Sequence, residues 1–318
     1  MPLNERFSLD GPTARIGSSY ANAAAEIVSI LGGIDPSVYT PISGASALGK
    51  VRSIVERLDV MAVQWARGSI KAAYEDSRKN ATARLKVIGA EKPKPRQGSA
   101  PPPDRHGKAV DRSFKLAVGD YLDANQAISA TAGKYLATVG YAKRKIDKFR
   151  NEAMVEAFSP DEVKGFIDRT VKKSLASTSE YNAGLAHLTS QDVAARIKEK
   201  LLKSIKGGDF INIVGKDGVA RNYNLKNYSE LVARTRMREA QTEAVKEACA
   251  EYDNDLVFIP PHDNPCEEIC AAYQGQVYSI SGTSDTYPEL PDGGPPWHPH
   301  CEDSMNPTSE TALSWRNQ

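Results

Sequence analysis

The sequence predicts an α+β protein, with a helix-rich part over residues 1–207 and a small mixed α/β module over 208–318. Three observations carry this. Long stretches before residue 207 repeat their apolar residues at helical spacing, and β-branched runs flank Asp217-Gly218 soon after Gly207-Gly208. Three of the four cysteines fall between residues 266 and 301, which marks that segment as chemically distinct. A chain of 318 residues is long enough for two domains, and it shows no internal repeat.

Residues 45–90 contain no proline and place Val51, Ile54, Val55, Leu58, Ala62 and Trp65 on one face of a helix. EKPKPRQGSAPPPDRHG, residues 91–107, then reads as an exposed linker, since proline and polar groups build no core. Limited proteolysis is expected to cut there first, and next near Gly207-Gly208 or within 283–295, because a protease needs exposed backbone. Early cleavage within 110–139 would contradict the helix that follows. Its stripe is Tyr121, Ala124, Ile128, Ala132, Tyr135, Leu136 and Val139, and it runs into YAKRKIDKFR, residues 141–150, with five bases and one acid. Ser159, Pro160 and Glu162 have the form of a helix start with a capping box. Another helix starts over 189–192 and stops at Gly207-Gly208.

Beyond that point the pattern changes. DFINIVGKDGVARNYNL, residues 209–225, reads as a hairpin turning at Asp217-Gly218. Residues 228–252 return to helix, with Leu231, Val232, Val245 and Ala248 on the inner face. LVFIP (256–260) and QVYSISG (276–282) read as short strands.

The net charge of +1 conceals a division along the chain. From Glu251 onward there are twelve acids and one base, whereas residues 1–250 hold forty bases and twenty-eight acids. The basic part suits an acidic partner, either nucleic acid or an acidic protein surface, although Lys and Arg on wet helix faces are the plainer reading. Its densest positive stretches are Lys143 to Arg150 and the trio Arg234, Arg236 and Arg238. The first residues lack an apolar secretory core, and no run approaches eighteen apolar residues, so neither a signal peptide nor a membrane span is expected.

Cys266 and Cys270, in NPCEEIC, are four residues apart, so that a helical turn there would put both sulfurs on one face. His298 and Cys301, in HPHC with Pro296 and Pro299, supply a second pair. Three thiolates and one imidazole make a tetrahedral set suited to structural zinc, a knuckle that would hold together strands too short to be stable alone. His262 and His300 are alternatives to His298 as the imidazole ligand, and reduced thiols without metal are the plainer reading. In a reducing compartment such clustering favours metal over a disulfide. Cys249 stands apart as a buried or lone thiol.

Catalytic patterns do not fit. PCEEIC is like half of a zinc deaminase signature, but no His-x-Glu triplet precedes it. H-E-x-x-H, a Walker loop and G-x-S-x-G are all absent. His300 with Asp303 offers an acid–base pair without a nucleophile, and a four-ligand zinc leaves no position open for water. The cluster therefore reads as structural, and the chain reads as not an enzyme.

YSELVARTRMREAQTEA, LVFIPPHDNPCEEICAAYQGQVYSISG, PELPDGGPPWHPHCED and MNP together resemble the C-terminal domain of phage minor head proteins, the Mu F-like head morphogenesis family. That family shows an ARTE or ARTR helix, a Cys pair followed by a G-x-x-Y/F turn, and a closing PP-[WFY]-HPxC block. The likeness covers about the last ninety residues and leaves the helical part unmatched. This chain spaces its first Cys pair by three residues where the family often has two, and has Glu302 where the family often has Arg. The resemblance implies a structural virion component made in the bacterial cytoplasm. It implies contact with the portal protein or the major capsid protein, and non-specific contact with packaged or ejected DNA in some members. Assembly as a homo-oligomer is compatible with it. Such domains are also found fused to toxins or other enzymes, but residues 1–208 carry no compact catalytic motif.

Overall fold

The structure is a computed structural model describing residues 8–93, 105–153, 165, 190–206, 211–214, 220–262, 268–298 and 301–310. The helix start read at 159–162 and the turn Asp217-Gly218 lie outside the described residues. Among those described, the first helices are α1 (Asp10–Gly32), α2 (Pro41–Val87), α3 (Arg105–Ala153) and α4 (Ser190–Lys206). Strands β1 (Ile211–Val214) and β2 (Ala220–Tyr223) precede α5 (Leu225–Glu251). β3 (Leu256–Phe258), α6 (Glu268–Tyr273), β4 (Val277–Ser279) and β5 (Asn306–Pro307) complete the order, making a helix-rich α+β chain. No described helix is long and apolar enough to cross a membrane.

The two long helices form where periodicity places them, and every residue of both predicted stripes is buried. Thr40 caps α2: its Oγ1 accepts from the Ser43 N–H at 3.1 Å, while Ser43 Oγ accepts from the Thr40 N–H at 3.0 Å. Pro41 then takes the first helical position, where its missing N–H costs nothing. The stretch 91–107 is not linker throughout, because Arg105, His106 and Gly107 already belong to α3. Helix α1 was not anticipated. Its signal is nonetheless present in Ile16, Tyr20, Ala23, Ile27 and Leu31, which recur every three or four residues and are all buried.

The chain divides into two compact units, each assembled from separated stretches. One comprises Gly17–Val60 and Leu122–Tyr228. Within it the Tyr20 hydroxyl donates to Asn125 Oδ1 at 3.0 Å, and Asn125 Nδ2 donates to Asp59 Oδ1 at 2.7 Å, so the buried amide is used on both sides. α1 and α4 approach closely at Gly32, where a Cβ would come 2.7 Å from Leu202 Cδ2. β1 and β2 pair antiparallel from Ile211↔Tyr223 to Val214↔Ala220, the hairpin that the β-branched runs predict.

The other unit comprises Met1–Ile16, Met61–Tyr121 and Ser229–Gln318. From Ser229 to Cys249 every residue of α5 is buried or half-buried, so this helix has no fully open face opposite a single buried stripe. Val232, Val245 and Ala248 are buried as predicted, while Leu231 is only half-buried. The polar groups of α5 are matched by neighbours. Tyr74 bonds Glu247, Arg78 pairs with Glu251, Ser77 Oγ donates to the Gln241 carbonyl at 3.1 Å, and the Tyr121 hydroxyl donates to the Ser229 carbonyl at 2.8 Å. A three-stranded antiparallel sheet of order β4-β3-β5 packs its Val257 and Tyr278 against Leu85, Val245 and Ala248.

Candidate metal centre

The sheet and α6 bring the cysteine segment together. Gly275 adopts φ +75° and donates its N–H to the Ile259 carbonyl at 2.8 Å, closing the turn that links α6 to β4. Cys270, on α6, is fully buried, and its carbonyl accepts from the Gln274 N–H at 3.1 Å. The opposite wall is the PPWHPHCED stretch. Trp297 donates Nε1–H to the Pro291 carbonyl at 3.1 Å, and its ring lies 4.7 Å from that of Tyr273. The chain then turns so that the Cys301 N–H reaches the His298 carbonyl at 3.2 Å. Two ligand residues from this stretch therefore face one from α6.

The ligand atoms of Cys270, His298 and Cys301 all lie within 4.8 Å of one another. The two sulfurs are 3.9 Å apart, close to the edge of about 3.8 Å that bonds of about 2.3 Å give in a tetrahedron. His298 Nε2 is 2.9 Å from Cys270 Sγ, a hydrogen-bond separation that a shared ion would open to about 3.5 Å. The donor set is soft, buried and compact, and it fits a thiophilic ion such as zinc. Cys266 and His300 lie outside the described residues. His262 is placed elsewhere: its Nε2 sits 3.3 Å from Asp303 Oδ1 and 3.0 Å from Gln274 Nε2.

Asp303, read from the sequence only as a companion of His300, instead stands beside Cys301. It is completely buried, accepts from Gln274 Nε2 at 2.8 Å, and accepts from the Cys301 thiol at 3.3 Å. Its neighbour Glu302 is exposed, whereas Asp303 is not. Burial pushes the Cys301 thiol up to about 11, against the two backbone N–H groups that favour its thiolate. Cys249, in the core beside Val257, is likewise pushed up by burial, to about 12, and takes no part in the cluster.

The basic stretches read quite differently once folded. Arg234 pairs with Asp10 at 2.8 Å, and Arg236 with Asp120 at 2.6 Å and Glu239 at 2.7 Å. Arg238 is buried and bonds Gln241 at 2.8 Å. These arginines are committed inside their own unit rather than presented as a patch. On α3, Lys143 pairs with Asp147, and Arg144 and Lys145 lie 5.9 Å and 5.5 Å from the Tyr141 ring centre.

Residues 209–290 match the family described as phage minor capsid protein 2. This supports a phage minor capsid assignment. The minor capsid match covers roughly a quarter of the chain, running from the β1–β2 hairpin through α5, β3 and α6 to Leu290. It includes Cys270 and stops short of His298 and Cys301, so one wall of the candidate metal centre lies inside the matched segment and the other beyond it. No curated protein and no solved structure matches the chain.

Proposed function

We propose that the chain is a structural, non-enzymatic minor component of a tailed-phage head, made in the bacterial cytoplasm and seated at the portal vertex or inner shell. The observation that carries this reading is the minor capsid match over 209–290, a segment that also contains the α6 wall of the metal centre. The 208–318 module serves as the docking part, and a structural zinc held by Cys266, Cys270, His298 and Cys301 keeps its two walls together. When bound, the ion cross-links segments that a small sheet alone would hold weakly. Cys270 and Cys301 supply buried sulfurs and His298 a half-buried ring.

The partner is a protein, the portal or the major capsid protein, rather than DNA. Internal pairing of Arg234, Arg236 and Arg238 favours this, since it removes one of the two dense basic stretches from any partner. DNA contact through the remaining stretch would be sequence-independent and would weaken steeply with salt. Replacing Lys143, Arg144, Lys145 and Lys148 together with Ser is expected to leave incorporation into heads near the wild-type level. Replacing Cys266 and Cys301 together is expected to abolish it. Loss of incorporation by the well-folded lysine variant, or normal incorporation of the cysteine variant, would reverse the choice of partner or remove the role of the metal.

A further inference from the structure

Cys270 and Cys301 are buried, and their sulfurs stand 3.9 Å apart across a loop of 31 residues. A disulfide requires about 2.05 Å, so the sulfurs must close by about 1.9 Å, a shift within reach of side-chain rotation and a small backbone movement. Their carriers are a short helix of six residues and a turn, which yield more readily than long packed helices. Cys249 is set apart in the core beside Val257 and Tyr252, outside the ligand group.

We propose that Cys270 and Cys301 form a disulfide when the module, without its metal, meets a peroxide-class oxidant. The same two walls then have two alternative clasps, an ion in the reducing cell and a covalent bond outside it. The chemistry balances. One thiol attacks a peroxide oxygen, giving a sulfenic acid and water; the second sulfur displaces the sulfenic hydroxyl, whose oxygen leaves as a second water with the remaining thiol proton. Two thiols are oxidised by two electrons, and one peroxide is reduced. The linked pair closes a loop that the unfolded chain must then carry, which favours the folded module as the ion does. The sequence of clasps rests on the zinc and virion readings above, whereas the pairing itself rests only on the position of the sulfurs.

The test uses the full chain, dialysed against a chelator, treated with hydrogen peroxide, then denatured and alkylated with iodoacetamide. The intact mass read before alkylation should show the loss of two hydrogens at cysteine, two of the four cysteines should escape alkylation, and the linked peptides should contain Cys270 and Cys301. The same pair should link in Cys249→Ser and Cys266→Ser. A link through Cys249 or Cys266, oxidation to sulfinic acid without a link, or no oxidation at all would overturn the proposal. Zinc content of the untreated protein separates the two readings. Zinc-free protein that still links Cys270 to Cys301 keeps the pairing and loses the ion, while zinc-bearing protein that never links does the reverse.

Discussion

The full chain is expected to purify with about one zinc ion, and stripping that ion is expected to loosen the C-terminal module while leaving the long helices formed. Cys270→Ser and Cys301→Ser should each produce the same state. Structural zinc contributes apparent free energies of about 10–16 kcal/mol in peptides with no other core. Here Val257, Tyr278, Leu290 and Met305 also pack against α2 and α5, so the observed loss should be several kcal/mol rather than complete unfolding. Metal analysis gives the stoichiometry, and hydrogen exchange across 256–258, 277–279 and 306–307 reads the loosening. Undiminished protection of those strands in metal-free protein would show that the ion does not hold the module.

The second large effect is expected at Arg236. Its guanidinium side chain is 20% exposed and lies between Asp120 and Glu239. Arg236→Ala leaves two half-buried carboxylates without their shared cation and should cost about 1.5–3 kcal/mol, read as a shifted denaturation midpoint. Arg234→Ala provides the contrast. Its partner Asp10 has a side chain 76% exposed, so the loss should be below about 1 kcal/mol. Equal effects at the two positions would contradict the ion-pair geometry. Asp120→Asn combined with Arg236→Ala should recover part of the loss, because the stranded charge is then removed.

The long helices were legible because periodicity is a local property. Val51, Ile54 and Leu58, like Tyr121, Ile128 and Tyr135, declare a buried face through spacing alone. α1 was equally legible and was passed over, since its small residues, Ala21, Ala23, Ala24 and Ala25 among them, dilute the apolar stripe. α5 shows where spacing fails. A helix with no fully open face has no single stripe, and Arg234 and Arg236 read as a surface patch because two of the acids that pair with them, Asp10 and Asp120, are more than a hundred residues away. The candidate metal centre divides in the same manner. Cys270, His298 and Cys301 could be chosen by chemistry. Asp303 and the short strand β5 could not, because their identities follow from partners in three dimensions.

The antiparallel pairing of β5 with β3 also sets an order of events during synthesis. Phe258 waits for Asn306, roughly fifty residues later, before its outer edge is covered. Ala81 and Leu85 wait longer still, since their neighbours in the core extend to Met305. At about 5–20 residues per second, a ribosome leaves those apolar surfaces of α2 uncovered for roughly ten seconds or more. The unit built from Gly17–Val60 and Leu122–Tyr228 has all of its sequence available earlier. One unit can therefore mature while the other remains a nascent, chaperone-accessible surface, and a ribosome stalling before residue 305 would release a chain half folded and half adhesive.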